Sequence, residues 1–141
     1  MGTISNRSSY MGQGGKLNKT QRPDYTDWWD ENDEIIRNVA WGDFEAQDAR
    51  KQGEEIVRLV ASRPEKVSIL NDLSESGKAS SKARKIFAEL MKSEHIEKQA
   101  FVGMKTVTRV IVSFIMRFSG VTNARYFDTE QEALKWLKEG K

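Results

Sequence analysis

From residue 24 to its end, this chain alternates segments that have the apolar spacing of β-strands with segments that have the spacing of α-helices. Parallel strands cannot be joined by a tight turn, so a helix between two strands supplies the crossover that parallel pairing requires. The predicted order is β-β-α-β-α-β-α-β-α, and the first two strands form an antiparallel hairpin. This alternation predicts one α/β domain with a mixed sheet over residues 24–141.

The first half of the pattern begins with the hairpin. Its strands are the aromatic and β-branched runs 25–31 and 34–42, and the turn lies at 32–33. Asp43 is the predicted N-cap of the first helix, because a short carboxylate accepts from the free amides of a first turn. Pro64 ends that helix, since the residue before a proline is pushed out of the helical region.

The next segments are a buried strand and a serine-rich loop. The strand is predicted over 66–73 and the loop over 71–81, with Ser80 or Ser81 as the N-cap of the second helix. The loop contains four serines. We expect it to lie at the carboxyl edge of the sheet.

The last part of the chain holds two strands and two helices. Strands are predicted at 98–104 and 123–128, and a helix at 105–119 ends in a left-handed cap at Gly120. Thr129 begins a capping box for the final helix. The apolar positions of 105–119 nearly encircle the helix, which predicts either full burial or a movable cover over a ligand, and we favour burial.

Residues 1–23 differ in composition from the rest of the chain. They carry four basic side chains, no acid and four glycines. Such a segment buries too little apolar surface to offset the entropy of ordering it, so we predict a disordered basic arm with no specific nucleic-acid target. The absence of a signal-like apolar core and of cysteine predicts a cytoplasmic protein. The most apolar run, 107–118, is shorter than the ~20 residues of a transmembrane helix.

The chain offers little material for catalysis. His95 is the only histidine, and no nucleophile or second acid-base group is recognisable beside it in the sequence. Acidic pairs lack the histidines or clustered carboxylates of a metal site. The sequence predicts a protein without a cofactor or metal that is not an enzyme.

The serine-rich loop contains the candidate regulatory site. Ser74 and Ser76 are candidates for phosphorylation, and a phosphoryl group there would meet the positive end of the following helix. Gly77, Lys78 and Lys82 are the predicted contacts for an anion or a partner. A weaker alternative is an enzyme that acts on a phosphorylated substrate at this loop and at the loop that begins at residue 103.

The strings AWGDF, KVSILNDLSESG, QAFVG and ARYFDTEQEALKWL resemble the SpoIIAA-like branch of the STAS superfamily. The resemblance covers about residues 24–140 and implies a mixed sheet flanked by helices. In phosphorylated members, an acidic residue, a Ser or Thr, Ser and Gly stand where this chain has Glu75-Ser76-Gly77, so Glu75 replaces the hydroxyl residue. The resemblance implies a signalling module that binds a protein partner and is regulated at Ser76, or less favourably at Ser74.

The same superfamily is similar to SEC14 and CRAL-TRIO lipid carriers, which have an apolar pocket beside the sheet. That likeness implies the alternative function, a carrier or sensor of an apolar small molecule. The predicted lining residues are Val107, Ile111, Phe114 and Phe118. The partner, the ligand and the oligomeric state are left open by the sequence.

Overall fold

The computed structural model describes residues 27–140. The predicted disordered arm, residues 1–23, lies outside the described part of the chain, as does the predicted start of the first strand at residue 25. Within the described part, five strands and four helices follow in the predicted order. They are β1 (Asp27–Asp30), β2 (Ile35–Phe44), α1 (Ala46–Ala61), β3 (Val67–Ala79), α2 (Ser81–Met91), β4 (Ile96–Val102), α3 (Thr106–Ser119), β5 (Ala124–Tyr126) and α4 (Glu130–Lys138).

The strands form one mixed sheet in the order β1-β2-β3-β4-β5. β1 pairs antiparallel with β2, and every later pair is parallel. The predicted mixed α/β architecture is therefore confirmed. Each parallel pair is joined through one helix, as the requirement for a crossover dictates.

The two faces of the sheet are covered by different helices. Ile35 and Ile36 are neighbours in β2 and therefore point to opposite faces. Ile36 packs in a cluster with Ile56 and Val60 of α1, whereas Ile35 packs in a cluster with Leu137 of α4. Helices α2 and α3 lie on the same face of the sheet as α1, and their apolar residues form a third cluster with β3 and β4. One face is thus covered by three helices and the other by α4.

The hairpin turn is tied to α4 by an ion-pair cluster. Arg37 contacts Asp30 at 2.6 Å, Asp33 at 3.0 Å and Glu130 at 3.3 Å. Lys138 at the end of α4 contacts Asp33 at 2.6 Å. The hydrogen bond from Lys138 is the largest cause that lowers the pKa of Asp33 below its ordinary value, and Arg37 acts in the same direction.

The predicted helix signals are correct at three helix ends and wrong at one. Ser80 caps α2 by accepting from the amide of Ala83 at 3.1 Å, and Thr129 caps α4 by accepting from that of Glu132 at 3.2 Å. Gly120 ends α3 with φ 73°, the left-handed cap expected of glycine. The N-cap of α1 is Glu45, whose amide donates to Asp48, so the prediction of Asp43 as cap is wrong.

The predicted serine-rich loop is mostly a strand. β3 continues six residues past the predicted end at residue 73, because β2 also runs further and offers hydrogen-bond partners as far as residue 44. Ser76 pairs with Gly42, and Ala79 pairs with Phe44. Ser74 and Ser76 therefore lie in a strand, and the loop prediction is wrong for residues 74–79.

Candidate functional site

A cavity of about 100 Å³ lies between the sheet and the layer of α1, α2 and α3. Phe87 of α2 and Ile111, Val112 and Ile115 of α3 line its helix side, and Phe101 of β4 lies on its sheet side. This volume exceeds the ~10–15 Å³ that one water molecule needs and falls below the ~300 Å³ of a pocket for a drug-sized ligand. The cavity can hold a compact apolar molecule of a few heavy atoms.

A row of buried amide side chains crosses the floor of the cavity. Gln52 of α1 donates to the side-chain oxygen of Asn38, and Asn38 donates to that of Asn71 at 2.7 Å. Asn71 then donates to the backbone carbonyl of Ala100 at 3.1 Å. Beside this row, Gln99 donates to the carbonyl of Met91 at 3.0 Å. These hydrogen bonds connect α1, β2, β3 and β4 across the middle of the sheet.

These amides were not among the residues predicted to form a site, although the sequence contains a signal for them. Asn38, Asn71 and Gln99 each interrupt an otherwise apolar strand, and the structure buries all three. Asn38 and Asn71 are direct partners in the β2–β3 register. Polar residues at matching positions of neighbouring buried strands indicate a hydrogen-bonded row, because a buried amide without partners is costly.

The end of β3 forms the rim of the cavity. Ser76 and Lys78 both border the cavity, and Lys78 is exposed. The β2–β3 register shifts twice in this stretch, between Val39 and Trp41 and between Gly42 and Phe44. Such bulges bend a strand and re-aim its side chains. The hydroxyl of Ser76 donates to the carbonyl of Leu73 at 2.9 Å.

Gly77 is fixed by a close approach of Asp43. The Asp43 carboxylate accepts from the amide of Lys78 at 2.7 Å, and a Cβ on Gly77 would overlap the same carboxylate oxygen. The Asp43 carboxylate therefore already occupies the backbone amide of Lys78, one of the predicted contacts for an anion. Binding of an anion or a partner at Gly77 and Lys78 stays a prediction, and it would have to use the exposed side chain of Lys78.

Ser74, unlike Ser76, is hydrogen-bonded to a carboxylate. Its hydroxyl and its amide both donate to the Asp72 carboxylate, at 2.7 Å and 3.0 Å. Gly103, which begins the loop between β4 and α3, approaches the same place with φ 76°. A Cβ on Gly103 would lie 2.9 Å from the Ser74 amide nitrogen, which explains why glycine is needed there.

Helix α3 places its predicted lining residues on different sides. Ile111 borders the cavity, and its contact with a ligand stays a prediction. Phe114 and Phe118 are exposed and do not border it. Val107 belongs to α3, but its side chain lies outside the described part of the structure. The favoured prediction of full burial for α3 is wrong, because the helix packs only its inner side on the sheet.

The remaining candidates lie apart from the cavity. Lys82 is exposed on α2, and His95 is exposed immediately before β4. Between residues 27 and 140, no group of three His, Cys, Asp or Glu residues could hold a metal ion. In the same part of the chain, no helix is long and apolar enough to cross a bilayer.

Comparison with known proteins relates this architecture to one family. A family model described as SpoIIAA-like matches residues 35–138. A solved structure from Shewanella loihica PV-4, described as an uncharacterized protein of the DUF3478 family with a SpoIIAA-like fold, has a TM-score of 0.59. Its identity is 17%, and the match covers 79% of this chain and 89% of that one.

A second solved structure is the anti-sigma factor antagonist SpoIIAA in its unphosphorylated form. It has a TM-score of 0.54 and 13% identity, over 75% of this chain and 91% of that chain. No curated protein matches the sequence. At these identities the structures establish the shared fold, while the family model extends over most of the chain. The chain therefore belongs to the SpoIIAA-like family.

Proposed function

We propose that this chain is a non-enzymatic signalling module of the cytoplasm, whose contact with a protein partner is controlled by phosphorylation of Ser76. The observation that carries the proposal is the position of Ser76 on the cavity rim, close in the chain to the exposed Lys78. The likeness to an anti-sigma factor antagonist, a protein described in its unphosphorylated form, supports a role in binding another protein.

The surroundings of the two serines favour Ser76 over Ser74. A phosphoryl group adds a charge of about −1.5 to −2, so nearby carboxylates oppose it and nearby cations favour it. The Ser74 hydroxyl is hydrogen-bonded to the Asp72 carboxylate, whereas that of Ser76 is bonded to the neutral carbonyl of Leu73. Phosphorylation of Ser76 would place a dianion on the rim of an apolar cavity.

The modification can be tested by mass spectrometry of the protein purified from its own cells. A covalent phosphate would survive denaturation, map to the peptide that contains Ser76, and be absent from the Ser76→Ala variant. If the denatured wild-type protein never carries a phosphate, under growth conditions that include stress and starvation, the phosphorylation switch is rejected.

The partner contact needs a separate measurement. We expect Ser76→Asp to change the amount of a specific partner that co-purifies with the protein, since it adds a charge at the rim. Ser81→Asp is the matched control, because it adds the same charge at an exposed position at the start of α2 that does not border the cavity. Equal recovery of the partner with wild type and both variants would contradict a regulatory role for Ser76.

A second candidate function is supported by the cavity itself. A site of about 100 Å³ lined mainly by apolar side chains can bind a compact apolar molecule and thereby act as a sensor. A lipid chain would require α3 to move outward. Xenon is a suitable probe, and we expect its NMR chemical shift to respond to the wild-type protein but not to Ala40→Leu, which fills the cavity. An adduct seen in native mass spectra and lost on denaturation would identify a natural ligand.

A further inference from the structure

The outer face of α3 carries an exposed apolar ridge. Val110, Phe114 and Phe118 are 66%, 53% and 54% exposed, although side chains of this kind are usually buried. They follow one another at intervals of four residues and so lie on one side of the helix. The rings of the two phenylalanines stack with their centres 6.2 Å apart. The ridge, defined as these three residues, extends about 12 Å along the helix axis.

Two basic side chains lie beside this ridge. Arg117 is exposed and lies two turns from Val110 on the same side of α3. Arg84 of the neighbouring helix α2 lies over the ring of Phe114, 5.6 Å from its centre. Lys82 and Lys85 are further exposed cations of α2.

The charge of this face is opposite to that of the remaining described chain. Helices α2 and α3 together contain five basic residues and one acidic residue, whereas the other residues between 27 and 140 contain thirteen basic and nineteen acidic ones. Arg109, one of the five, is already paired with Asp128 at 3.2 Å. The other four give these two helices a positive charge on an otherwise acidic domain, and Arg84 and Arg117 lie next to the ridge.

We infer that the α2–α3 face binds the surface of an anionic membrane, with the ridge inserted at the boundary between headgroups and acyl chains. Helices that lie in this interface combine exposed phenylalanine or leucine on one side with lysine and arginine beside it. In this arrangement the exposed rings would enter the acyl boundary while the neighbouring cations meet anionic headgroups. Each cation near such a surface strengthens binding about fivefold.

A second copy of the chain fits this face less well. A two-fold contact would bring the ridge against its own copy and would place Arg84, Lys85 and Arg117 opposite cations of the same kind. Three exposed side chains also supply little of the ~800 Å² per partner that a stable specific interface buries. The apolar ridge and its like charges therefore favour an anionic layer over self-association.

Sedimentation of the full chain with lipid vesicles tests the inference. The probes are vesicles of phosphatidylcholine alone and of phosphatidylcholine mixed with phosphatidylserine. We expect binding only to the mixed vesicles, and weaker binding as salt is added. Arg117→Gln should weaken it about fivefold, and Phe114→Ser with Phe118→Ser should weaken it about tenfold for each ring.

Two matched controls separate the face from general charge and stickiness. Val57→Ser removes an apolar side chain that is 54% exposed on α1, and Arg50→Gln removes an exposed α1 cation. Both should leave binding unchanged. Because every variant changes a residue outside the core, the unfolding midpoints should stay close to that of wild type, which shows that a lost signal is not lost folding.

Several results would overturn the inference. One is the absence of binding to the mixed vesicles, and another is binding that is equal in the ridge variants and in wild type, which would assign it to another part of the chain. A dimer in ultracentrifugation that dissociates in the Phe114→Ser/Phe118→Ser variant, with no vesicle binding, would make the face a contact between copies. Binding to an acidic protein or to RNA in place of the vesicles would likewise reject the membrane.

Discussion

Filling the cavity should stabilise the protein, and Ala40→Leu is the change that does so. Ala40 is buried in β2 and borders the cavity. At about 24 cal/mol per Å³, an empty volume of about 100 Å³ lowers the free energy of unfolding by about 2.4 kcal/mol. Leucine has three more carbons than alanine, and at about 0.8 kcal/mol per buried carbon its side chain recovers about the same amount. After some strain is subtracted, we expect a gain of about 1–2 kcal/mol.

Urea denaturation measures this gain. With a slope of about 2 kcal/mol per molar urea, the midpoint should rise by about 0.5–1 M. Ala100→Leu is the matched control, because Ala100 is fully buried on the opposite face, packs in the cluster that contains α4, and does not border the cavity. There the added carbons overpack the core, and we expect a loss of about 1–3 kcal/mol.

The signs of the stability changes in Ala40→Leu and Ala100→Leu show whether the cavity is a real void. If both variants lose stability by similar amounts, the space beside Ala40 is not a real void, and the ligand cavity proposed above loses its physical basis. If Ala40→Leu gains stability and also abolishes the xenon response, the cavity is both empty and accessible. The comparison is independent of Ser76 and of the ridge on α3.

Three further predictions follow from the contacts of single residues. Asn38→Ala removes one hydrogen bond from each of two buried neighbours, Gln52 and Asn71, and at about 1–3 kcal/mol for each we expect urea denaturation to show a loss of about 2–6 kcal/mol. A loss below about 1 kcal/mol would contradict the role of the amide row. Gly77→Ala forces the Asp43 carboxylate away from the Lys78 amide, and by the same assay we expect the free energy of unfolding to fall by about 1–3 kcal/mol. Unchanged stability would contradict the close contact between Asp43 and Gly77. Lys138→Ala removes the hydrogen bond that lowers the pKa of Asp33. The destabilisation should therefore be fully present above the unfolded pKa of about 3.9 and should vanish as the pH falls through the lower pKa of Asp33 in the folded protein. A destabilisation independent of pH would contradict this assignment.

The candidate site was only partly predictable. Ser76, Lys78 and Ile111 were named from the sequence, and the structure brings all three to one cavity. That cavity lies between elements far apart in the chain, so no local pattern could report its volume or its lining. Phe114 and Phe118 were predicted to line the cavity but are exposed, because α3 packs only its inner side against the rest of the domain.

Local chemistry in the sequence determined the order of the elements, the mixed sheet and several helix ends. Ser80, Thr129 and Gly120 act on amides and carbonyls within a few residues of themselves, so their roles can be recognised without knowledge of the fold. The alternation of strand and helix patterns then left few topologies to choose from.

Only the tertiary structure decided where strand β3 ends and which side of α3 faces solvent. Residues 74–79 have the polar composition of a loop, but the neighbouring strand β2 is long enough to pair with them and Asp43 holds the Lys78 amide. The outward side of α3 is exposed because the described elements that pack on this helix lie on its inner side. Both outcomes depend on which neighbours a segment meets in space, and a single sequence read locally carries no information about those neighbours.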